Sequence, residues 1–280
     1  MSIMEGGGLD PILGELTFIG LGLFDELGIS LRGLEEAKKA DYVYAELYTS
    51  LMGGLSIESL QNLIGKEVHV VDRRLMEDES GEPILEKAEE SRVVLLVPGD
   101  PLIATTHIDL RLRAERRGIR TRVVHAASIL SAATGLSGLQ NYRFGRNVTI
   151  PFPEPGFVYE TPYEVIRENR GRDLHTLCFL DIRVEEGRFM TVKEGLEALL
   201  KVEEEKKLGV VTPRSLAVGV ARAGSDNAVV KADYVERLIE YNFGPPPHTL
   251  IIPAGRLHFV EAEALITLAG APAEIREMVT

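Results

Sequence analysis

The fold of this chain is decided by residues 92–101, which read RVVLLVPGDP. Residues 92–97 form an almost continuous apolar run without alternation, which is typical of a strand covered on both faces. The run ends in Pro98-Gly99-Asp100-Pro101, which can continue neither a strand nor a helix. In an open parallel sheet, ligands bind beyond the carboxyl ends of the strands. We therefore expect a parallel sheet with a ligand-binding loop at residues 98–101.

Strand and helix signals alternate on both sides of this stretch. In the first half the sequence predicts strands over 16–21, 42–47, 68–71, 92–97 and 120–124. Between them it predicts helices over 31–40, 56–64, 83–90 and 105–117. Such alternation is typical of an α/β domain with a mainly parallel sheet, which we place at residues 16–125.

The second half, residues 126–280, is predicted to form another α/β domain. Its strands are expected over 148–150, 176–182, 215–221 and 249–252. Its helices are expected to open near Ser128 and to cover 162–169, 192–207, 232–241 and 258–268. Residues 1–15, which include three consecutive glycines, are expected to be a disordered tail.

Composition excludes several classes of protein. The 280 residues are 45% hydrophobic and 26% charged, as in a folded globular protein, and the net charge of −12 gives no attraction toward nucleic acid. No apolar run reaches the ~18 residues of a membrane span, so we expect no membrane partner. The single cysteine, Cys178, can form neither an intrachain disulfide nor a thiolate zinc cluster. A metal-free protein of the cytoplasm is therefore expected.

Two loops are candidate ligand-binding sites, and each can also be interpreted as an ordinary structural turn. Gly20-Leu21-Gly22 follows the first strand and Glu46 ends the second, as in a dinucleotide fingerprint, but Asp25 stands where the third glycine belongs. The glycines could equally form a plain tight turn. Asp100 could accept hydrogen bonds from a ligand or form an Asx turn. Ser128 could contact a ligand or simply cap a helix.

The positions of histidine and arginine restrict the classes of enzyme and site that the sequence allows. No histidine pair has the i, i+4 spacing of a zinc helix, and no Gly-x-Ser-x-Gly elbow is present, so metalloenzyme and hydrolase interpretations lose support. His107, seven residues after Asp100, could lie on a pocket rim. The arginines within 111–122 form either a solvated helix face or a docking patch. The Glu203-Glu204-Glu205 run is interpreted as a solvated helix face.

Taken together, three segments carry a family resemblance. Residues 18–23 (FIGLGL), 98–101 (PGDP) and 127–129 (ASI) resemble the glycine-rich loop, the GDP-type loop and the serine-containing helix start of the tetrapyrrole-methylase-like (class III) methyltransferases. Those enzymes use S-adenosyl-L-methionine. Longer segments resemble the diphthine synthase branch of that superfamily: 42–52, 98–107, 142–146, 175–182, 221–225 and 244–265.

The resemblance implies both architecture and site. The family fold has two α/β domains with the cofactor in the cleft between them, and it works as a homodimer. By position in the family pattern, the residues expected to contact S-adenosyl-L-methionine are Leu23, Asp100, Ile103, Ser128, Ile129, Leu180, Ala223 and His248.

The implied reaction is trimethylation of the amino group on a 3-amino-3-carboxypropyl-histidine of translation elongation factor 2, which gives diphthine in diphthamide biosynthesis. Methyl transfer needs the acceptor nitrogen in line with the breaking bond and little acid–base machinery once that nitrogen is neutral. His107 and Asp100 are the candidate proton acceptors. The alternative is a class III methyltransferase acting on a tetrapyrrole or on ribosomal RNA.

Overall fold

The structure is a computed structural model that describes residues 14–280. Most of the expected tail lies outside the described residues, and Glu15 already begins the first strand. The chain divides into two compact units. The first comprises the described residues up to Gly22 together with Glu26–Tyr48 and Leu55–Ala126. The second comprises Ala127–Thr280 and two short N-terminal segments, Leu23–Asp25 and Thr49–Gly54.

The elements of the first unit follow the predicted order. Its strands are β1 (Glu15–Gly20), β2 (Tyr42–Glu46), β3 (His69–Val71), β4 (Arg92–Val97) and β5 (Arg120–Val124). Its helices are α1 (Leu31–Lys39), α2 (Ile57–Ile64), α3 (Glu82–Ala88) and α4 (His107–Arg116). A π-helical turn at Arg74–Asp78, in the acidic connection before α3, was not predicted.

The first sheet has the strand order β3-β2-β4-β1-β5, and all its pairings are parallel. Phe18 and Leu95 pack on one face with residues of α3 and α4. On the other face, α1 approaches so closely that a Cβ on Gly33 would lie 2.7 Å from the side chain of Ile19. Coverage of both faces explains the continuous apolar run of β4. The predicted α/β fold with a parallel sheet is confirmed.

Local sequence signals explain where three of these helices begin or end. Ser30 caps α1, because its hydroxyl accepts a hydrogen bond from the backbone N–H of Gly33 at 3.1 Å. Gly65 ends α2 in the left-handed conformation, with φ of +76°. Pro83 lies in the first turn of α3, where its missing N–H leaves no gap in the hydrogen bonding.

The second unit is built on a mainly antiparallel sheet of order β11-β10-β12-β7-β6. Its strands are β6 (Val148–Ile150), β7 (Thr176–Leu180), β8 (Ile182–Arg183), β9 (Arg188–Phe189), β10 (Leu216–Ala221), β11 (Val229–Tyr234) and β12 (His248–Ile252). Its helices are α5 (Ile129–Ser137), α6 (Thr161–Gly171), α7 (Val192–Lys206), α8 (Val235–Leu238) and α9 (Phe259–Ala269). The pair β8 and β9 forms a separate hairpin.

The predicted helix over 232–241 is wrong in its first part. Residues 229–234 form the edge strand β11, which pairs with β10 in register Val218↔Ala232. Ala232 is fully buried in that pairing, while Tyr234 ends the strand and the short helix α8 begins only at Val235. Pairing with β10 decided the structure of residues 229–234, because the intrinsic preference of so short a stretch for strand or helix is weak.

The predicted single strand over 176–182 is interrupted at Asp181. Its carboxylate accepts hydrogen bonds from the backbone N–H groups of Phe152 and Ile182, both at 2.9 Å. These bonds end β7 at Leu180 and direct the chain into the hairpin of β8 and β9.

Glu203 is not part of a solvated face, contrary to the sequence interpretation. Its carboxylate accepts hydrogen bonds from the hydroxyl of Tyr163 at 2.6 Å and from the N–H groups of Gly209, Val210 and Val211 at 2.6, 2.7 and 3.1 Å. Burial, followed by this bond to the carboxylate, raises the pKa of Tyr163 to about 12. Glu203 thus ties the turn after α7 to α6.

Candidate active site

The two predicted loops of the first unit are joined by backbone hydrogen bonds. Leu21 donates to the carbonyl of Val97 at 2.8 Å, and Gly22 and Gly99 bond to each other in both directions. A Cβ on Gly20 would lie 2.4 Å from the Gly99 carbonyl oxygen. Beside Gly99 itself, by contrast, a Cβ would meet no atom within 4 Å. The glycines therefore allow a close approach of two loops and leave open space at Gly99.

Asp100 is 7% exposed and both of its carboxylate oxygens are engaged. Oδ1 accepts the N–H of Leu102 at 3.1 Å, which is the Asx turn that the sequence analysis considered. Oδ2 lies 2.7 Å from Nδ1 of His125, whose side chain is 73% exposed. Carboxylate oxygens can each accept more than one hydrogen bond, so the Asx turn does not prevent a ligand contact.

His107 does not lie on a pocket rim, because its side chain is only 1% exposed. Nδ1 lies 3.2 Å from the carbonyl oxygen of Pro101, which also accepts the hydroxyl of Thr105 at 2.9 Å. Nε2 faces the buried carboxylate of Glu46 at 3.6 Å. Burial lowers the pKa of His107, although the bond to Pro101 opposes this effect. The ring therefore anchors the 98–103 loop from inside.

Three of the expected cofactor contacts in the second unit lie at one edge of its sheet. Leu180 is the last residue of β7, and His248 is the first residue of the antiparallel strand β12. The last residue of β10, Ala221, pairs with His248, and Ala223 follows two residues later. Antiparallel pairing thus brings together the end of β7, the start of β12 and the end of β10.

The three further expected residues of this unit are Leu23, Ser128 and Ile129. Leu23, Ile129 and Ala223 pack in one apolar cluster, and a Cβ on Gly224 would lie 2.8 Å from Cβ of Leu23. Ser128 caps α5, with its hydroxyl 3.3 Å from the N–H of Leu130. Six of the eight expected residues therefore belong to the second unit. Asp100 and Ile103 belong to the first, and Ile103 is 41% exposed.

His248 uses both ring nitrogens within the protein. Nδ1 accepts the N–H of Val192 at 3.3 Å, so the proton must be on Nε2, which donates to the carbonyls of Gly244 and Pro245 at 3.1 and 3.2 Å. Burial lowers the pKa of His248, which favours this neutral form. Any contact of this residue with a cofactor would therefore use its backbone or the ring carbons.

Arg222 holds the loop that precedes β12, and the sequence analysis did not identify this residue. Its guanidinium donates to the carbonyls of Phe243 at 2.7 Å and Pro245 at 2.6 Å, and its Nη2 donates to that of Asn227 at 3.1 Å. The residue has φ of +50°, a conformation that costs a non-glycine residue energy. The only sequence signal was its place directly after a strand.

Several arginines within residues 111–122 form ion pairs with glutamates. Arg113 and Arg117 contact Glu82 at 3.1 and 2.6 Å, and Arg122 contacts Glu36 at 2.8 Å. Those contacts fit the solvated-face interpretation better than the docking-patch interpretation. Within residues 14–280, no cluster of three His, Cys, Asp or Glu side chains could hold a metal ion. In the same part of the chain, no helix is long and apolar enough to cross a membrane.

Comparison with known proteins identifies the family of this chain. The sequence pattern of the Tetrapyrrole (Corrin/Porphyrin) Methylases matches residues 15–236. The chain belongs to the tetrapyrrole methylase family. Among curated members, it is 51% identical to the diphthine synthase of Methanosarcina acetivorans over 94% of this chain and 98% of that protein. It is 52% identical to the diphthine synthase of Methanocella arvoryzae over 91% of this chain and 98% of that protein.

A comparison with solved structures agrees with the sequence matches. A crystal structure of diphthine synthase aligns with a TM-score of 0.87 and 43% sequence identity, covering 95% of this chain and 100% of that one. The match extends through nearly the whole chain, so the two-unit α/β fold is that of the family. The protein is a methyltransferase, as the sequence resemblance implied.

The sequence analysis used His125 only to mark a domain boundary. It nevertheless follows β5 directly, at the carboxyl edge of the same parallel sheet as Asp100. Ligands bind beyond the carboxyl ends of parallel strands, and this rule, which pointed to residues 98–101, could also have pointed to His125. What the sequence could not provide was the contact between its ring and Asp100, which joins residues 25 positions apart.

Proposed function

We propose that this protein uses S-adenosyl-L-methionine to trimethylate the amino group of the 3-amino-3-carboxypropyl-histidine of translation elongation factor 2, giving diphthine. The observation that carries the proposal is the identity of 51–52% to diphthine synthases over more than nine-tenths of the chain. Over so large a share of both proteins, such identity favours a shared substrate as well as a shared fold.

The residues proposed to contact the cofactor are the eight named from the family pattern: Asp100 and Ile103 in the first unit, and Leu23, Ser128, Ile129, Leu180, Ala223 and His248 in the second. The open space at Gly99 fits this assignment, because a side chain there would meet no protein atom. Asp100 retains lone pairs for hydroxyl or ammonium donors. Most of the remaining residues are apolar and suit the adenine ring and the methionine chain.

Bound S-adenosyl-L-methionine would supply an electrophilic methyl group on a sulfonium. The residues of this chain would bind the cofactor, orient the acceptor nitrogen and exclude water. The backbone of the joined Gly22 and Gly99 loops offers a rigid support, and the His107 ring holds the Pro101 carbonyl in place. His107 is an unsuitable proton acceptor in this arrangement, because both of its nitrogens face protein groups.

Elongation factor 2 is the proposed partner, and a homodimer in the cytoplasm is the proposed working form. The single cysteine, Cys178, is buried in the second unit, which suits a reducing compartment. The acidic net charge of −12 disfavours the alternative acceptor, ribosomal RNA. A tetrapyrrole remains the alternative small-molecule acceptor, and the experiment that follows discriminates between the two.

The test is mass spectrometry of elongation factor 2 carrying the unmethylated side chain, after incubation with the protein and S-adenosyl-L-methionine. We expect mass increases of up to three methyl groups on the modified histidine and none on a factor with a plain histidine. Methylation of a tetrapyrrole such as uroporphyrinogen, with no change in the factor, would overturn the proposal.

A further inference from the structure

Asp100 and His125 form a carboxylate–imidazole pair, and the proposed function gives no role to His125. Asp100 follows β4 and His125 follows β5, so both lie at the carboxyl edge of the first sheet. Oδ2 of Asp100 and Nδ1 of His125 are 2.7 Å apart, the distance of a charge-assisted hydrogen bond. Within residues 14–280, Nε2 of His125 makes no hydrogen bond.

The burial of the two partners is very unequal. The side chain of Asp100 is 7% exposed and is held by the N–H of Leu102, whereas that of His125 is 73% exposed. A carboxylate accepts a hydrogen bond, so when the imidazole is neutral its proton lies on Nδ1 and Nε2 carries the lone pair. The same division of roles lets buried carboxylates orient the catalytic histidines of hydrolases.

Stability alone does not account for the pair. A polar pair with one partner so exposed to water contributes little to stability. The arrangement does, however, fix the tautomer and direction of an imidazole that can exchange protons with water. Such an imidazole could accept a proton from a substrate bound beside Asp100.

The acceptor amine has such a proton. An alkyl ammonium has an ordinary pKa near 10, so at neutral pH it carries a proton and has no lone pair for attack. One proton must be removed before each of the three methyl transfers, from the primary, monomethyl and dimethyl ammonium in turn. The trimethylammonio product carries no further N–H.

We propose that His125, oriented by Asp100, is the catalytic residue that accepts this proton. The N–H bond of the ammonium breaks, its electron pair stays on nitrogen, and the proton binds Nε2 to give an imidazolium next to the carboxylate of Asp100. The free amine then forms its N–C bond as the S–C bond of the sulfonium breaks, with that electron pair remaining on sulfur. The imidazolium returns its proton to water through its exposed face.

This inference rests on the proposed function, because it concerns the same acceptor amine. The key variant is His125→Asn, whose amide nitrogen can take the place of Nδ1 and donate to Asp100 but has no basic nitrogen. We expect kcat to fall at least 100-fold, within the roughly 10²–10⁴-fold range of a general base. The Kd of S-adenosylhomocysteine should stay within threefold. His69→Asn is the matched control, since His69 is also exposed and contacts Glu67 at 3.7 Å in the same unit.

Chemical rescue separates proton transfer from positioning. Imidazole at about 50 mM should restore the kcat of His125→Ala at least tenfold, because it supplies the missing base, and should leave His69→Asn unchanged. A His125→Asn enzyme that keeps more than a third of kcat would overturn the proposal. A 100-fold loss in His125→Asn with no imidazole rescue of His125→Ala would overturn proton acceptance in favour of a positioning role.

A second readout needs neither substrate nor cofactor. Long-range ¹H–¹⁵N spectra of the whole protein should show His125 protonated on Nδ1 in its neutral form, and Asp100→Asn should shift the population toward the Nε2 tautomer. A neutral ring protonated on Nε2 in the unmodified protein would overturn the inference. Wild-type protein that shows the expected tautomer but never methylates elongation factor 2 would overturn the proposed function instead.

Discussion

Gly22 and Gly99 exchange two backbone hydrogen bonds, from Gly22 N–H to Gly99 oxygen at 3.2 Å and from Gly99 N–H to Gly22 oxygen at 2.7 Å. Both residues have positive φ, +75° and +69°. They link the loops that follow β1 and β4, neighbouring strands of the parallel sheet. The loops therefore act as one rigid support rather than as two independent turns.

A methyl group at Gly99 should weaken cofactor binding as well as destabilise the fold. In Gly99→Ala the left-handed backbone costs about 1–2 kcal/mol, and no protein atom lies within 4 Å of the new Cβ. Gly118→Ala is a matched control, with φ of +76° and equally open surroundings in the same unit. Calorimetry should show the Kd of S-adenosylhomocysteine rising at least tenfold in Gly99→Ala only. Equal affinities in the two variants would contradict the assignment.

Glu261 should be a major contributor to the stability of the second unit. It is fully buried and accepts hydrogen bonds from Nε2 of His175 at 3.0 Å, from Gln140 N–H at 3.0 Å and from His258 N–H at 2.9 Å, and it also pairs with Arg143. Glu261→Gln removes the buried carboxylate from Arg143, which keeps the half-buried Asp173 at 3.0 Å, and it places an amide N–H among the donors of this network, so it should cost roughly 3 kcal/mol.

The control for this change lies two residues further along the same helix. Glu263 is exposed, and its polar contacts within residues 14–280 are Arg276 at 3.2 Å and the Thr267 hydroxyl at 3.3 Å, so Glu263→Gln should cost less than about 1 kcal/mol. Urea unfolding followed by circular dichroism measures both. Equal losses in the two variants would mean that the buried network contributes little.

Acid should destabilise the protein partly through Glu261. Burial would by itself raise the pKa of this carboxyl, but hydrogen bonds from His175, Gln140 and His258 outweigh it and lower the pKa to about 2. The unfolded chain therefore binds more protons than the folded one between pH 4.5 and 2, and the contribution of Glu261 is lost as the pH falls through that window. The free energy of unfolding of Glu261→Gln should fall less steeply there than that of the wild type.

His107→Ala should retain more than about a tenth of the wild-type kcat, because both ring nitrogens face protein groups and a true general base would cost ~10²–10⁴-fold. The Thr105 hydroxyl still holds the Pro101 carbonyl in this variant. The cavity should nevertheless cost stability, so the assay belongs at a temperature where the variant is folded. A loss beyond a thousandfold in steady-state turnover would contradict this interpretation of the residue.

Much of the first unit could be predicted, because its signals are local. Residues 93–97 are apolar on both faces of a buried strand, and Ser30 and Gly65 carry helix-end preferences in their own side chains or backbone. The helix predicted over 232–241 was wrong because β11 owes its structure to pairing with β10. Glu203 was misinterpreted for the same reason, since its partners come from a turn and a neighbouring helix.

The amino-acid sequence by itself determined the α/β pattern, the two glycine loops and the family to which they belong, since each depends on residues adjacent in the chain. Only the tertiary structure decided which polar groups meet. It set Asp100 against His125, turned His107 inward to Pro101 and Glu46, and gathered Leu180, Ala223 and His248 at one edge of an antiparallel sheet. These contacts join residues far apart in the chain, and their distances follow from strand pairing and packing, which local preference does not encode.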